Sequence, residues 1–202
     1  ACQESDAMAE SSGTAGPWSR SQCALDLVNF FVADVAGLGA LTFIYCITPI
    51  AEGGRGMNRT TAGILMALLG LLGVVAAPLV GLLVDSVRHK RVFIGFGLCC
   101  TAGSYVLLIV GRSTIVVGAV LCLQGLVGAV YGPSLNALSL GIVGYERLPE
   151  RKARNEVSTH LGTLVSAVLP IVLVTTEEGY WRFFAVTALL STAGTAGLLL
   201  IR

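Results

Sequence analysis

Gly81-Leu-Leu-Val-Asp85-Ser-Val-Arg88-His89-Lys90-Arg91 joins two long apolar runs. The first run ends on the aspartate, a tight basic turn follows, and the next run begins at Val92. Positive charge is retained on the cytoplasmic side of a bilayer, so this turn suits the inner ends of two membrane-spanning helices. Asp85 is the unusual member. An anion at the carboxyl end of a helix is opposed by that helix's macrodipole and calls for a partner. The basic residues after it are one candidate, and the positive amino end of another helix is a second.

Composition points the same way. The 202 residues are 54% hydrophobic and only 12% charged, whereas soluble domains carry about 25% charged residues. Twenty-five glycines suit membrane helices, where small residues let backbones approach. A net charge of +1 predicts no nucleic-acid partner. Cys46, Cys99, Cys100 and Cys122 lie inside apolar runs as small hydrophobes. Their spacing predicts no metal site and no disulfide framework, and no cofactor is expected. No metal ligand set is expected either.

Residues 1–24 are polar and small, and lack the basic-then-apolar layout of a secretory signal. They are expected to form a disordered cytoplasmic tail. A start at Ala1 suggests a fragment or a processed product. Six apolar runs follow, each near the roughly 20 residues that cross a bilayer. They are placed at about 25–50, 61–84, 91–111, 114–142, 156–175 and 180–201. The fourth is long enough to need tilt or a kink at Pro133. Backbone in hydrocarbon must satisfy itself, so the runs are helices. The alternation of a membrane barrel is absent.

Arg88, Lys90 and Arg91 fill the second connection, and Arg147, Arg151, Lys152 and Arg154 fill the fourth. The first, third and fifth hold fewer bases, offset by Glu52, Glu177 and Glu178. Both termini are therefore expected in the cytoplasm. Asn58-Arg59-Thr60 is a glycosylation sequon on the outer side, almost against the second span. The connection from Val143 to Asn155 is expected to lie along the membrane surface. The short turns after the second and fifth spans fall on opposite sides, as a three-plus-three inverted repeat requires.

The opening stretch resembles the loop between helices 2 and 3 of the major facilitator superfamily, roughly Gly-x-x-x-Asp-Arg-x-Gly-Arg-Arg-Lys. Gly81, Asp85, Lys90 and Arg91 match, and His89 stands for the first arginine. Ser86 and Arg88 replace the usual base and glycine. Asn29-Phe-Phe-Val-Ala-Asp34 and Arg154-Asn155-Glu156 with His160-Leu-Gly162-Thr163 resemble segments of one subgroup of its permeases, with Thr163 for a final asparagine. The fourth span carries Leu123-Gln124-Gly125 and Gly128, but the family's arginine position is Leu121, which puts its proton-coupling role in doubt. The resemblance covers about residues 25–202 and implies the amino-terminal half of a twelve-helix carrier. In such a carrier two six-helix bundles rock around a midplane site. It implies that the first and fourth spans line the path, the second and fifth flank it, and the third and sixth face lipid. Its gating residues would be Gly81, Asp85, His89, Lys90 and Arg91.

Polar residues inside spans are expensive and usually face the bundle interior. Asp34 lies roughly 13 Å into the first span at 1.5 Å per residue. It reads either as a cavity-facing functional group or as a packing carboxyl. Asn29, five residues earlier, points elsewhere and reads as a helix–helix hydrogen-bonding residue. Gln124 and Tyr131 are seven apart and share a face, with Asn136 further along. Gly128 and Gly132 have the spacing of a close-approach pair, and Gly194 and Gly197 read as packing devices. Glu156, His160 and Thr163 share a face of the fifth span. That face could handle a proton or a polar substrate, or Glu156 could simply favour the helix start.

The expected fold is an all-α membrane protein with six transmembrane helices. The expected function is secondary transport of a small solute, as permease or effluxer, with proton coupling one possible form. Expected partners are the bilayer, the solute, and a carboxyl-terminal half or a second copy. The expected location is the plasma membrane. Two rivals are a self-contained six-helix homodimeric transporter and an intramembrane serine protease using Ser134 with His160. Asp85→Asn is expected to weaken the cytoplasmic gate and lower transport by the full-length protein. Unchanged uptake by that variant removes the gating role.

Overall fold

In lipid a helix is the one open-ended segment that satisfies its own backbone, and among the described residues the regular structure is all helix. A computed structural model of the chain describes residues 20–36, 39–87, 90–111, 113–174, 179–199 and 201. The helices are α1 (Arg20–Ala36), α2 (Gly39–Ile47), α3 (Arg59–Ser86), α4 (Lys90–Val110), α5 (Thr114–Val143), α6 (Leu148–Leu173) and α7 (Gly179–Leu198), with a short 3-10 turn at Ile50–Glu52. Four of them, α3 to α6, are long and apolar enough to cross a membrane.

Local chemistry sets several ends. Asn58 Oδ1 accepts from the Thr60 N–H at 3.0 Å, capping α3. Ser113 Oγ accepts from the Val116 N–H at 3.2 Å, capping α5. Gly144 stops α5 with a φ of 73°, a conformation that side chains disfavour. Pro149 sits in the first turn of α6, where a missing N–H costs nothing.

Three expectations about boundaries change. The first run is described as two helices, with Gly37 and Leu38 between them outside the described residues. The expected tail lies outside the description up to residue 19, but residues 20–24 are helical. The expected surface connection from Val143 to Asn155 shrinks to residues 144–147, because α6 begins at Leu148. Arg151, Lys152, Arg154 and Asn155 therefore belong to the first turns of a helix. α5 runs through Pro133 as one helix.

The physical reason for the early start of α6 is a charge cluster with α1. Arg151 is buried, its side chain only 1% exposed, and its guanidinium ion-pairs with Asp26. It also donates to Asn155 Oδ1 at 2.9 Å and to the Gln22 carbonyl at 3.2 Å. Arg154 holds the other Asp26 oxygen at 2.6 Å. Asn155 Nδ2 donates to Ser139 Oγ at 2.9 Å, bringing in α5. A buried guanidinium is tolerable only when paired and saturated in this way.

α1 lies against α6, α3 against α5 and α4 against α7, with α4–α5 and α1–α7 contacts completing the bundle. One core cluster gathers Tyr45, Tyr105, Phe183 and Phe184, with Tyr45 edge-on to Phe184 at 4.8 Å between ring centres. Beside it, Arg55 donates to the Leu108 carbonyl at 2.7 Å and to the Gly111 carbonyl, closing the carboxyl end of α4. The second cluster gathers Leu25, Val28, Ile94, Leu98 and Leu138. α4 and α7, expected as outer helices, thus carry much of the core.

Glycines decide two contacts. A Cβ on Gly125 would stand 2.5 Å from the Leu69 carbonyl oxygen, and one on Gly73 would stand 3.3 Å from that of Gly125. These two, and not the expected Gly128 and Gly132, bring α3 and α5 together. Nothing lies within 4 Å of a Cβ at Gly128 or Gly132. Gly194 fits its expectation, since its Cβ would meet Phe31 at 3.0 Å. Cys23 is disulfide-bonded, where the sequence predicted no disulfide.

Gly125→Leu should destabilise the purified protein by about 1–3 kcal/mol, the cost of overpacking a tight contact, read as a fall in Tm. Arg151→Met should cost about 2 kcal/mol by removing the charged hydrogen bonds of the buried guanidinium and leaving Asp26 to Arg154 alone. Adding Asp26→Leu to Arg151→Met should return part of that loss in a double-mutant cycle.

Candidate functional site

The polar residues singled out from the sequence divide between two cavities. The larger, about 510 Å³, lies between α3 and α5 and is closed behind by α4. Gln124 and Tyr131 both line it, as their shared face predicted. Gln124 Nε2 donates to Ser104 Oγ at 3.0 Å, and Ser104 donates to the Thr101 carbonyl at 2.7 Å. The Tyr131 hydroxyl lies 2.8 Å from Thr101 Oγ1. α4 therefore supplies the hydroxyl support for both residues, a role its sequence did not announce. Such chains of neutral hydrogen bonds are how polar groups survive in an apolar bundle.

The smaller cavity, about 310 Å³, lies where α1, α5 and α6 meet. Asn29, Asn136 and Glu156 line it with Lys152, Asn155 and Thr159. Asn155 belongs to the buried charge cluster, so the cavity wall and the α1–α6 pairing share a residue. Asn29 does not bridge helices as expected. Its amide donates to the Leu25 carbonyl of its own helix at 2.8 Å.

Glu156, His160 and Thr163 all lie exposed on α6. His160 is not among the residues lining the smaller cavity, and Thr163 donates to the Thr159 carbonyl at 3.0 Å. Asp34 falls near the end of α1, and its side chain lies outside the described residues. Ser134 is fully buried, and its hydroxyl has no hydrogen-bond partner among the described residues. His160 is exposed, so the Ser134–His160 couple of the protease reading does not form.

The elbow between α3 and α4 also differs from expectation. Asp85 is exposed and makes no ion pair among the described residues. Arg88 and His89 lie outside the described residues. Arg91 reaches across to donate to the Ile201 carbonyl just past α7, instead of pairing with Asp85. A Cβ on Gly81 would meet nothing within 4 Å, so this glycine serves no contact inside the bundle. The sequence missed Asp26 and Arg151, although Arg151 and Arg154 at i and i+3 of one helix were a readable signal for a shared acidic partner.

The comparisons with known proteins agree with this architecture. The family model for the Major Facilitator Superfamily matches residues 30–202. Two uncharacterized MFS-type transporters of Mycobacterium tuberculosis, from strains CDC 1551 / Oshkosh and ATCC 25618 / H37Rv, are each 30% identical over 145 residues. Those matches cover 71% of this chain and 34% of each relative, so the chain spans about a third of the length of the relatives it matches. A peptide transporter POT in complex with sulfate superposes with a TM-score of 0.78 at 16% identity, covering 89% of this chain and 37% of that one. A POT family transporter in complex with 5-aminolevulinic acid gives 0.79 at 18% identity, covering 90% and 38%. A bundle of long apolar helices, with its polar residues gathered at two cavities, is thus joined to a family match over most of its length, and the chain belongs to the major facilitator superfamily.

Proposed function

We propose that this chain is the amino-terminal half of a twelve-helix secondary carrier that moves a small solute by alternating access. In this reading α1 with α2 makes the first of six crossings, and α3 to α7 make the other five as a three-plus-three inverted repeat. The termini are cytoplasmic, because the bases of the α3–α4 elbow and of the α5–α6 junction lie at one end. The membrane is the plasma membrane.

The surface of α6 carries the argument. Only 11% of its most apolar stretch is buried, and 6% of that of α3. On α6 the exposed Val157, Leu161 and Leu164 share the helix with exposed Glu156, His160 and Thr163. Lipid suits the first set and rejects the second. A second bundle facing α3 and α6 across a wetted path suits both. Asp34, Asn29, Gln124, Tyr131, Asn136, Glu156, His160 and Thr163 are the proposed path residues, with the titratable ones offering proton coupling. Gly81, Asp85, His89, Lys90 and Arg91 form the cytoplasmic gate, with the bare Gly81 and Asp85, which has no ion pair among the described residues, being surfaces for the other half.

Residues 1–202 reconstituted alone should show no saturable uptake of a solute carried by the longer protein, and adding the second half should restore it. Saturable uptake by the 202-residue chain alone, with cross-linked pairs, would overturn this reading in favour of a homodimeric carrier.

A further inference from the structure

Two glycines on the wall of the larger cavity are not explained by helix packing. Gly73 and Gly125 are held as glycine by the close approach of α3 to α5. Gly70 and Gly128 line the same cavity, yet nothing lies within 4 Å of a Cβ on either. Their missing side chains make room without bringing backbones together. The result is a smooth wall beside Leu69 and Val74 on one side and Ala129 on the other. At about 510 Å³ the space is in the range that holds small ligands.

The polar inventory of the cavity is equally specific. The Thr101 hydroxyl has one proton and donates it to the Gly97 carbonyl at 2.9 Å. Tyr131 is therefore the donor in its 2.8 Å contact with Thr101. Ser104 donates to the Thr101 carbonyl and accepts from Gln124. Gln124 thus commits one of its amide hydrogens. Its carbonyl oxygen and second amide hydrogen have no partner among the described residues, on a side chain that lines the cavity. Gln124 is half-buried, and these groups are open to pair with a molecule in the cavity.

We propose that this cavity binds a small molecule with a flat apolar body and one neutral hydrogen-bonding group, an aromatic amine, amide or phenol. The body lies along Gly70 and Gly128, and the polar group pairs with the free edge of the Gln124 amide. Gln124 sets the position of the polar group, and the two glycines set the permitted width. This rests on the transport reading and names its solute class. The test reads binding and not transport, so the two can fail separately.

The probe is 1-aminoanthracene, with the full-length protein in lipid nanodiscs. A Gly128→Cys thiol is modified with uncharged methyl methanethiosulfonate and followed by peptide mass spectrometry, with Tyr145→Cys as an exposed control. The probe should slow modification of Gly128→Cys and leave Tyr145→Cys unaffected. Gln124→Leu should raise the probe concentration needed by up to about tenfold, the worth of one net hydrogen bond. Gly128→Leu should abolish probe binding, followed by probe fluorescence, while leaving Tm unchanged. No protection at the solubility limit, or equal protection in Gln124→Leu, would overturn the proposal. A fall in Tm for Gly128→Leu as large as that for Gly125→Leu would also overturn it, by making Gly128 a packing residue.

Discussion

A guanidinium cannot be left unpaired inside an apolar bundle, and the arrangement of α1, α5 and α6 follows from that constraint. Asp26 answers the charge of Arg151, while the Gln22 carbonyl and Asn155 occupy further donors. Asn155 passes the connection to Ser139 on α5. The pair is not evidence of extra stability by itself, since desolvation consumes much of its attraction. What it supplies is satisfaction of charge: in this register of α6 against α1, Asp26, Arg151 and Arg154 all have partners.

The opposite end is built from different forces. Tyr45, Tyr105, Phe183 and Phe184 interlock, and Arg55 closes α4 through its terminal carbonyls. Between these ends, α3 touches α5 backbone to backbone at Gly73 and Gly125. Most of the apolar surface of α3 and α6 stays uncovered. The bundle is therefore firm where α1, α4, α5 and α7 meet and open along two flanks, and the cavities lie beside those flanks. Position of the polar residues follows from which helices are held and which are left bare.

Much of this was legible in the chain itself. The runs placed at 61–84, 91–111 and 114–142 fall within about two residues of α3, α4 and α5, because continuous apolarity in lipid has one structural solution. The start of α6 was not found. Its first turns are charged, and a hydropathy reading takes charge for loop. Pro149 marked the true start. Asp26 went unnoticed because its partners lie more than a hundred residues away, and no local pattern encodes a distant pairing. The glycine contact was misplaced for a similar reason. A three-residue spacing names candidates on one helix, but the facing helix selects among them. Gln124 and Tyr131 do line one cavity, since helical periodicity alone puts them on one face.

The span between Asp26 and Arg151 also has a bearing on how the protein is made. The two are separated by 125 residues. At ribosomal speeds of about 5–20 residues per second, the acid emerges on the order of ten seconds before its base. During that interval the three long apolar helices α3, α4 and α5 are made while the first helix holds an unanswered carboxylate. α1 cannot settle into its final berth until α6 arrives, so a helix made before α3, α4 and α5 is locked only after them.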